Sequence, residues 1–421
     1  MSSPVVPVPE ATIDALRAVV DRFGTPTYAY DLRCIERQVR KLRSALPSAI
    51  ELLYSLKANP SPAICALLSQ RGLGADVASA AELLLAAQAG IPAGKIFVGG
   101  PYKAPDLIAL LTASPEATIS VDSLSELGLL AARGECARTL LRLRPDFPSA
   151  ACMDAGPDSR FGIPFDELDR CKAVLASSEL VPVGLHVFAG SQVLDTVAVV
   201  EQMRRALDLT MRASGALGIR PEVVNLGGGF GIPYAPDDGE LDLAPIGAAL
   251  GELVEQVAPT RIVLELGRYL VAQAGWYLTR VVALQHRGER PAVVVDGGTH
   301  QRADLCGLDL PVRAFPPLLL GERASRPRPT DVWGCLCLPS DVLAEASLLP
   351  VLEVGDVLAF PNAGAYGLSA APTLFLSHPP PAEAAFDGTV LQALRSRPSA
   401  SALLASQAPV EAQRAGAGAI D

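Results

Sequence analysis

ELLYSLKAN, residues 51–59, is a short apolar run that stops at a lysine, Lys57. Runs of the same kind recur at intervals too long for hairpins: GADV (74–77), KIFV (95–98), ATISV (117–121), RTLLRL (138–143), PVGLHV (182–187), EVVNL (222–226) and RIVLE (261–265). Between them lie Ala- and Leu-rich stretches such as SAAELLLAAQAG and VVEQMRRALDLTMRASGALG, with apolar residues at helical spacing and a closing Gly. Strand then helix, repeated around the count of eight, is the pattern of a parallel sheet closed into a TIM-type (β/α)8 barrel. After residue 275 the rhythm changes to β-like runs between Pro and Gly turns, among them WYLTRVVALQH, RPAVVVDGG, VLEVGDVLAF and APTLFLSH. The sequence thus predicts an α/β chain with its barrel over residues 30–275. A β-sandwich or β-barrel domain is expected over 276–385, taking in 1–29 as well. The Pro- and Ala-rich stretch 386–421 has little to bury and is expected to be a disordered tail.

Composition bounds the function. The 421 residues are half apolar and 19% charged, with a net charge of −10, which suits a large buried core divided between two domains. The lack of a Lys/Arg-rich run excludes an electrostatic surface for nucleic acid or anionic membrane, so a small metabolite is the expected partner. The N-terminus has no basic start followed by an apolar core, and no stretch is long and apolar enough to span a bilayer, so a cytoplasmic location is expected. Cysteines at 34, 65, 136, 152, 171, 306, 335 and 337 have neither the paired spacing of a zinc site nor the density of a disulfide scaffold.

In βα barrels the chemistry lies at the C-terminal strand ends, and here those ends are polar. They carry Lys57, Asp76, Arg142, His186 with Ser191 just beyond, the run Gly227-Gly228-Gly229, and Glu265 with Gly267 and Arg268. Desolvation at the end of an apolar run would lower the pKa of Lys57 and favour the amine that attacks an aldehyde; the same position fits a lysine snorkelling off the rim. Three glycines after a strand suit a phosphate cradle, or only a tight turn, and do not match a dinucleotide fingerprint. Glu265 fits a partner for a protonated pyridine nitrogen, or an ion pair with Arg268. His186 fits a ring-stacking residue or a packed one. Cys335-Leu336-Cys337 has no second pair and no His cluster in the sequence nearby, so no metal centre is expected; the pair reads as one catalytic thiol or as two small buried hydrophobes. Tyr366, in a glycine loop, suits a phosphate donor or a sheet cap.

Taken together these residues resemble the fold-type III pyridoxal-phosphate (PLP) decarboxylases, the group of the diaminopimelate, ornithine and arginine enzymes, with alanine racemase more distant. The matching segments run in order from Thr25-Pro26 through YSLKAN (54–59), ADVASAAEL (75–83), SRFGI (159–163), GLH to GSQ (184–192), GGGFG (227–231), ELGR (265–268), VDGG (295–298), GCLC (334–337) and GAYG (364–367). The resemblance implies that Lys57 carries PLP as a Schiff base, His186 stacks on its ring and Glu265 holds its pyridine nitrogen. Ser191, Gly227, Gly228, Gly229, Gly267, Arg268 and Tyr366 are implied for the phosphate, and Asp76 and Arg142 line the ring and Lys57. It further implies a homodimer in which Cys337 and Tyr366 cross to the partner's barrel, Cys337 protonating Cα after carbon dioxide leaves. Arg160, His300, Leu338 and Asp341 are the implied substrate contacts.

Departures narrow the substrate. The stretch Thr299–Arg302 lacks the Arg-Pro segment usual in diaminopimelate decarboxylases, and Leu338 stands where ornithine decarboxylases place an Asp. The details ELGRYLVAQA (265–274), CLPSD (337–341) and FLSHP (375–379) are similar to a subgroup of secondary metabolism that includes glutamyl-carrier-protein decarboxylases. The expectation is therefore PLP-dependent α-decarboxylation of an amino acid or of an aminoacyl group on an acyl-carrier protein. Diaminopimelate or other free amino-acid decarboxylation, racemization, and a non-catalytic partner-binding role of the antizyme-inhibitor kind are the alternatives.

Overall fold

The computed structural model describes residues 8–134, 137–151, 153–302 and 315–405. Eight strands, β1 (Ile50–Ser55), β2 (Gly74–Val77), β3 (Ile96–Val98), β4 (Thr118–Val121), β5 (Arg138–Leu143), β6 (Val181–Val187), β7 (Val223–Gly228) and β8 (Arg261–Leu266), pair in chain order and close into a barrel. Every neighbouring pair is parallel, including β8 back onto β1. The (β/α)8 expectation holds. Two strand ends differ from it in detail. β1 stops at Ser55, leaving Lys57 in the short helical turn Leu56–Ala58, and β7 runs on through the first two glycines.

Leu53, Phe97, Leu140, Val183, Val223 and Val263 form one buried cluster of strand side chains, so the barrel is a packed core and not a pore. The helices start where local chemistry tells them to. Ser79 and Ser123 each cap the helix that follows, accepting from the N–H of Glu82 and Glu126, while the two glutamates return to the N–H groups of Ala78 and Asp122. Both reciprocal caps sit just beyond a strand end, at β2 and β4, so they also fix the backbone beside Asp76 and Asp122.

The second domain is a nine-stranded mixed sheet among the described residues. Thr27–Asp31 lies at its centre, antiparallel to β9 (Gly275–Arg287) and parallel to a strand at Ala382–Phe386. The N-terminal contribution therefore extends past residue 29, and Asp31 both ends that strand and caps the helix Leu32–Ala45 through the Arg33 N–H. Helix Glu10–Phe23 covers the sheet with Leu16, Val19 and Val20 against Ala29, Trp276, Leu278 and Phe386.

The expected disordered tail needs correction. Leu391–Arg395 adds an antiparallel strand to Ala382–Phe386, and Ala400–Ala405 is helical. Ladder hydrogen bonds and charge, which composition does not reveal, order this stretch: Arg395 pairs with Glu383 at 2.6 Å and Arg397 donates to the Pro26 carbonyl at 2.7 Å. The expectation for 406–421 lies outside the described residues. No helix among those described is long and apolar enough to cross a membrane.

Phe97 is 1% exposed inside the barrel. Phe97→Ala is expected to cost about 3–5 kcal/mol of stability, read as a lower midpoint in urea unfolding; an unchanged midpoint would contradict a filled barrel.

Candidate active site

Register brings the polar strand ends onto one rim. Ser55 aligns with Asp76, Arg142 with His186, His186 with Asn225, and Glu265 with both Gly228 and Leu53. Lys57 Nζ donates to Asp76 Oδ2 at 3.1 Å, with about half of its side chain, 49%, open to the barrel mouth. The expected lowering of its pKa is overturned. The Asp76 carboxylate outweighs burial, Tyr366 and Glu265 add to it, and the ammonium is held above its usual value. An apolar run reports desolvation; it does not report the carboxylate on the next strand.

His186 is buried, with Nδ1 2.8 Å from Ser120 Oγ and Nε2 3.7 Å from Glu265 Oε2. Burial first, then the cations of Arg142, Lys57 and Lys103, hold its pKa well below the usual value, so the ring is neutral. Glu265 Oε1 accepts from Asn225 Nδ2 at 2.6 Å. Burial first and Asp76 second push the Glu265 carboxyl up to about 7. Arg142 meets Asp122 at 2.7 Å and lies over the rings of Phe161 and Phe188.

Bare backbone forms the adjoining edge. Gly229 has φ +78°, and a Cβ there would strike the Gly190 carbonyl oxygen, so only glycine lets this turn close on Gly190-Ser191. The Val193 N–H donates to Gly229 O at 3.0 Å, the Gly231 N–H returns to Val193 O at 2.9 Å, and the Gln192 amide bonds both backbone groups of Ile232. Arg268, buried just after Gly267, donates to Tyr234 at 2.8 Å and lies 4.9 Å from the ring centre of Tyr366. The Tyr366 N–H in turn donates to Ala58 O at 2.8 Å. Tyr366 therefore stands at the barrel of its own chain, correcting the expectation that it crosses to a partner. The 364–369 loop is folded onto the Lys57 turn by Asn59 Nδ2 to Gly364 O and Ser369 Oγ to Ala58 O.

Three rim residues escaped the sequence reading. Ser120 and Asn225 carried a signal, each being a polar residue within an otherwise apolar strand. Lys103 carried none: it is 1% exposed, with Nζ 2.7 Å from Gly100 O, 2.5 Å from Ser120 O and 3.0 Å from Glu126 Oε1, and burial lowers its pKa despite that carboxylate.

The expected substrate contacts fare differently. Arg160 is exposed and stacks on Phe161 at 4.6 Å, while Cys337 and Leu338 are exposed on a β-domain loop. His300 and Asp341 are instead buried in the β domain, and Asp341 accepts hydrogen bonds from Thr299 N, Thr299 Oγ1 and Leu336 N. Burial first and His378 next bring His300 down to about 4. The reasoning against a metal centre also changes, because folding brings His300 and His378 to Cys335. A cavity of about 880 Å³ lies between the domains, lined by Arg37, Gln273, Trp276 and Phe315, away from Lys57.

Residues 32–272 match the family described as "Pyridoxal-dependent decarboxylase, pyridoxal binding domain". The chain is 34% identical to the L-glutamyl-[BtrI acyl-carrier protein] decarboxylase of Niallia circulans, over 94% of this chain and 96% of that one. It is 35% identical to the diaminopimelate decarboxylase of Actinosynnema pretiosum subsp. auranticum, over 82% and 80%. Among solved structures, the diaminopimelate decarboxylase of M. jannaschii in complex with L-lysine superposes with a TM-score of 0.85, at 27% identity, covering 94% of each chain.

A carboxyl whose pKa rises from 4.5 to about 7 on folding stabilises the folded chain fully below about pH 4.5, and that contribution is lost as pH rises through 7. In thermal melts of the cofactor-free protein, wild type is expected to lose stability relative to Glu265→Gln across that window. A gap that stays constant with pH would contradict a buried, protonatable Glu265.

Proposed function

The chain belongs to the pyridoxal-dependent decarboxylases, and on that premise we propose that it removes the free α-carboxylate of an acidic amino acid that an acyl-carrier protein holds through the side-chain carboxyl. The observation behind this reading is the 34% identity, over nearly the full length of both chains, to the L-glutamyl-[BtrI acyl-carrier protein] decarboxylase. The residues at Thr299–Arg302 and Leu338, which depart from the diaminopimelate and ornithine patterns, support it.

The rim fits pyridoxal phosphate on its own geometry. A lysine open to the mouth with Asp76 beside it to take its proton, a neutral buried imidazole, a buried carboxyl that holds a proton near neutrality, and a backbone cradle beside a buried arginine are complementary to aldehyde, ring face, ring nitrogen and phosphate. Lys57 would hold the aldehyde carbon, Glu265 the nitrogen and His186 the ring. Ser191, the glycines 227–229, Gly267, Arg268 and Tyr366 would hold the phosphate. When bound, the cofactor supplies an electron sink for the pair left on Cα as carbon dioxide departs. Asp76 orients Lys57 by a direct ion pair, and Ser120 orients His186 through Nδ1. Asn225 fixes Glu265 through one oxygen and leaves the other 3.7 Å from His186 Nε2. Cys337 is the proposed acid: its Sγ–H gives the proton that replaces the carboxylate on Cα. Its exposure in the single chain suits delivery to the barrel of a second copy, so we assign a homodimer with shared sites.

Identity of 35% to a diaminopimelate decarboxylase, over 82% of this chain and 80% of that one, sustains one second reading, in which the substrate is free diaminopimelate. Carbon dioxide release from glutamyl-carrier protein, free glutamate and meso-diaminopimelate separates them. The expected result is turnover of the carrier-bound substrate with little from the free acids; turnover confined to diaminopimelate would replace the first reading, and silence on all three would overturn both.

Cys337→Ser is expected to lower kcat roughly 10²–10⁴-fold. Borohydride trapping followed by peptide mapping is expected to find the cofactor on the Lys57 peptide. Mixing and refolding Lys57→Ala with Cys337→Ser is expected to restore up to about a quarter of wild-type activity, since half the dimers are hybrids with one intact site of two; no recovery would count against shared sites.

A further inference from the structure

We propose that His300, Cys335 and His378 form a site for one divalent transition-metal ion of the zinc class, within the β domain. Their ligand atoms, one imidazole nitrogen from each histidine and Cys335 Sγ, lie within 4.8 Å of one another. Two nitrogens and a thiolate are donors that zinc takes, at about 2.0–2.1 Å and 2.3 Å, which sets tetrahedral ligand spacings of about 3.3–3.6 Å. Closing that gap asks for a shift of about 1 Å, which the proposal assigns to the half-buried His378 and Cys335 side chains, whose partial exposure also gives the ion a way in.

His300 supplies the independent sign that a ligand belongs there. It is 1% exposed, and neither Nδ1 nor Nε2 has a hydrogen-bond partner. A buried imidazole with both nitrogens unmatched pays desolvation without return, and a metal ion on one of them supplies the missing interaction. The neighbouring His378 ring, tilted by 48° at a centroid distance of 5.2 Å, makes an aromatic contact but leaves both His300 nitrogens without a hydrogen bond.

The surrounding bonds hold the three ligand segments together. Asp341 accepts from Thr299 with one oxygen and from the Leu336 N–H with the other, tying the turn that carries His300 to the loop that carries Cys335. The Cys335 N–H donates to Gly297 O at 2.9 Å. Gln301 is gripped by Tyr28 at 2.6 Å and Tyr277 at 2.7 Å, and its own amide donates to Pro379 O at 3.2 Å, next to His378. Such outer bonds orient ligands in advance, and the Asp341 carboxylate adds negative charge beside them. Binding converts the Cys335 thiol to a thiolate and releases its proton to solvent; Cys337, exposed on the same loop, is not a ligand. The ion fastens the loop from which Cys337 projects.

Full-length holoprotein, equilibrated with zinc and freed of excess, is measured by elemental analysis and X-ray absorption. One zinc per chain is expected, with one sulfur at about 2.3 Å and nitrogens at about 2.0–2.1 Å. Cys335→Ser should remove the sulfur shell, and His300→Gln or the half-exposed His378→Gln should weaken binding by at least about tenfold. Cys337→Ser should leave both stoichiometry and sulfur shell intact. Melting temperature and bound cofactor report the folding of each variant. Substoichiometric zinc in wild type, or a sulfur shell that survives Cys335→Ser but not Cys337→Ser, overturns the proposal.

Discussion

Parallel closure forces every C-terminal strand end of a barrel onto the same rim, and the rest of this molecule is arranged around what that rim holds. Ser55, Asp76, Arg142, His186, Asn225 and Glu265 are distant in sequence and adjacent in register because eight strands point the same way. The packed interior below them, from Leu53 to Val263, keeps the strands from shifting, and a shift of one residue would turn each polar end from the mouth into the wall. The caps at Ser79 and Ser123 act on the same constraint from the helix side, since they set the chain just after Asp76 and Asp122.

Charge on the rim is balanced by pairs and not by solvent. Lys57 with Asp76, Arg142 with Asp122, and Lys103 with Glu126 each neutralise one another. His186 and Glu265 remain, and the same burial moves both toward their neutral forms, the imidazole by losing a proton and the carboxyl by keeping one. A mouth of balanced ion pairs, with a neutral imidazole face and Arg268 close to the Tyr366 ring, is suited to hold an anionic, planar group. Lys57 is the exception to desolvation because it is half open and its carboxylate partner is close, so orientation, more than basicity, is what Asp76 imposes on it.

The strands and their ends were legible because a period of apolar runs survives in sequence, and a polar residue closing such a run announces itself. Ser120 and Asn225 were legible only in principle, as polar residues inside runs whose inward face the sequence does not mark. Lys103 was not, for its burial is created by loops folding over it. The resemblance implies that Tyr366 crosses to a partner, and nothing in sequence order reveals that the 364–369 loop folds back onto Ala58 of its own chain. The grouping of His300, Cys335 and His378 had no spacing motif to read: the three come from separate turns that only the sheet brings together.

Glu265 bears on whether this rim is a working site or a relic that binds a partner. A carboxyl raised to about 7 by burial is a group that the fold holds against its own preference, and with Asn225 as its hydrogen-bond donor the folded chain gains little from it. A protein that only presents a surface has no use for such a residue buried at the rim of a barrel, nor for a left-handed glycine pressed against a neighbouring carbonyl. Racemization makes a different demand, an acid and a base on opposite faces of one carbon. The rim supplies Lys57 at its own barrel, and the candidate acid Cys337 sits on the separate domain, exposed in the single chain. In a homodimer with shared sites Lys57 and Cys337 meet at one mouth and meet either demand, so it is the match of residues 32–272 to a decarboxylase family that favours carboxylate loss as the chemistry this arrangement serves.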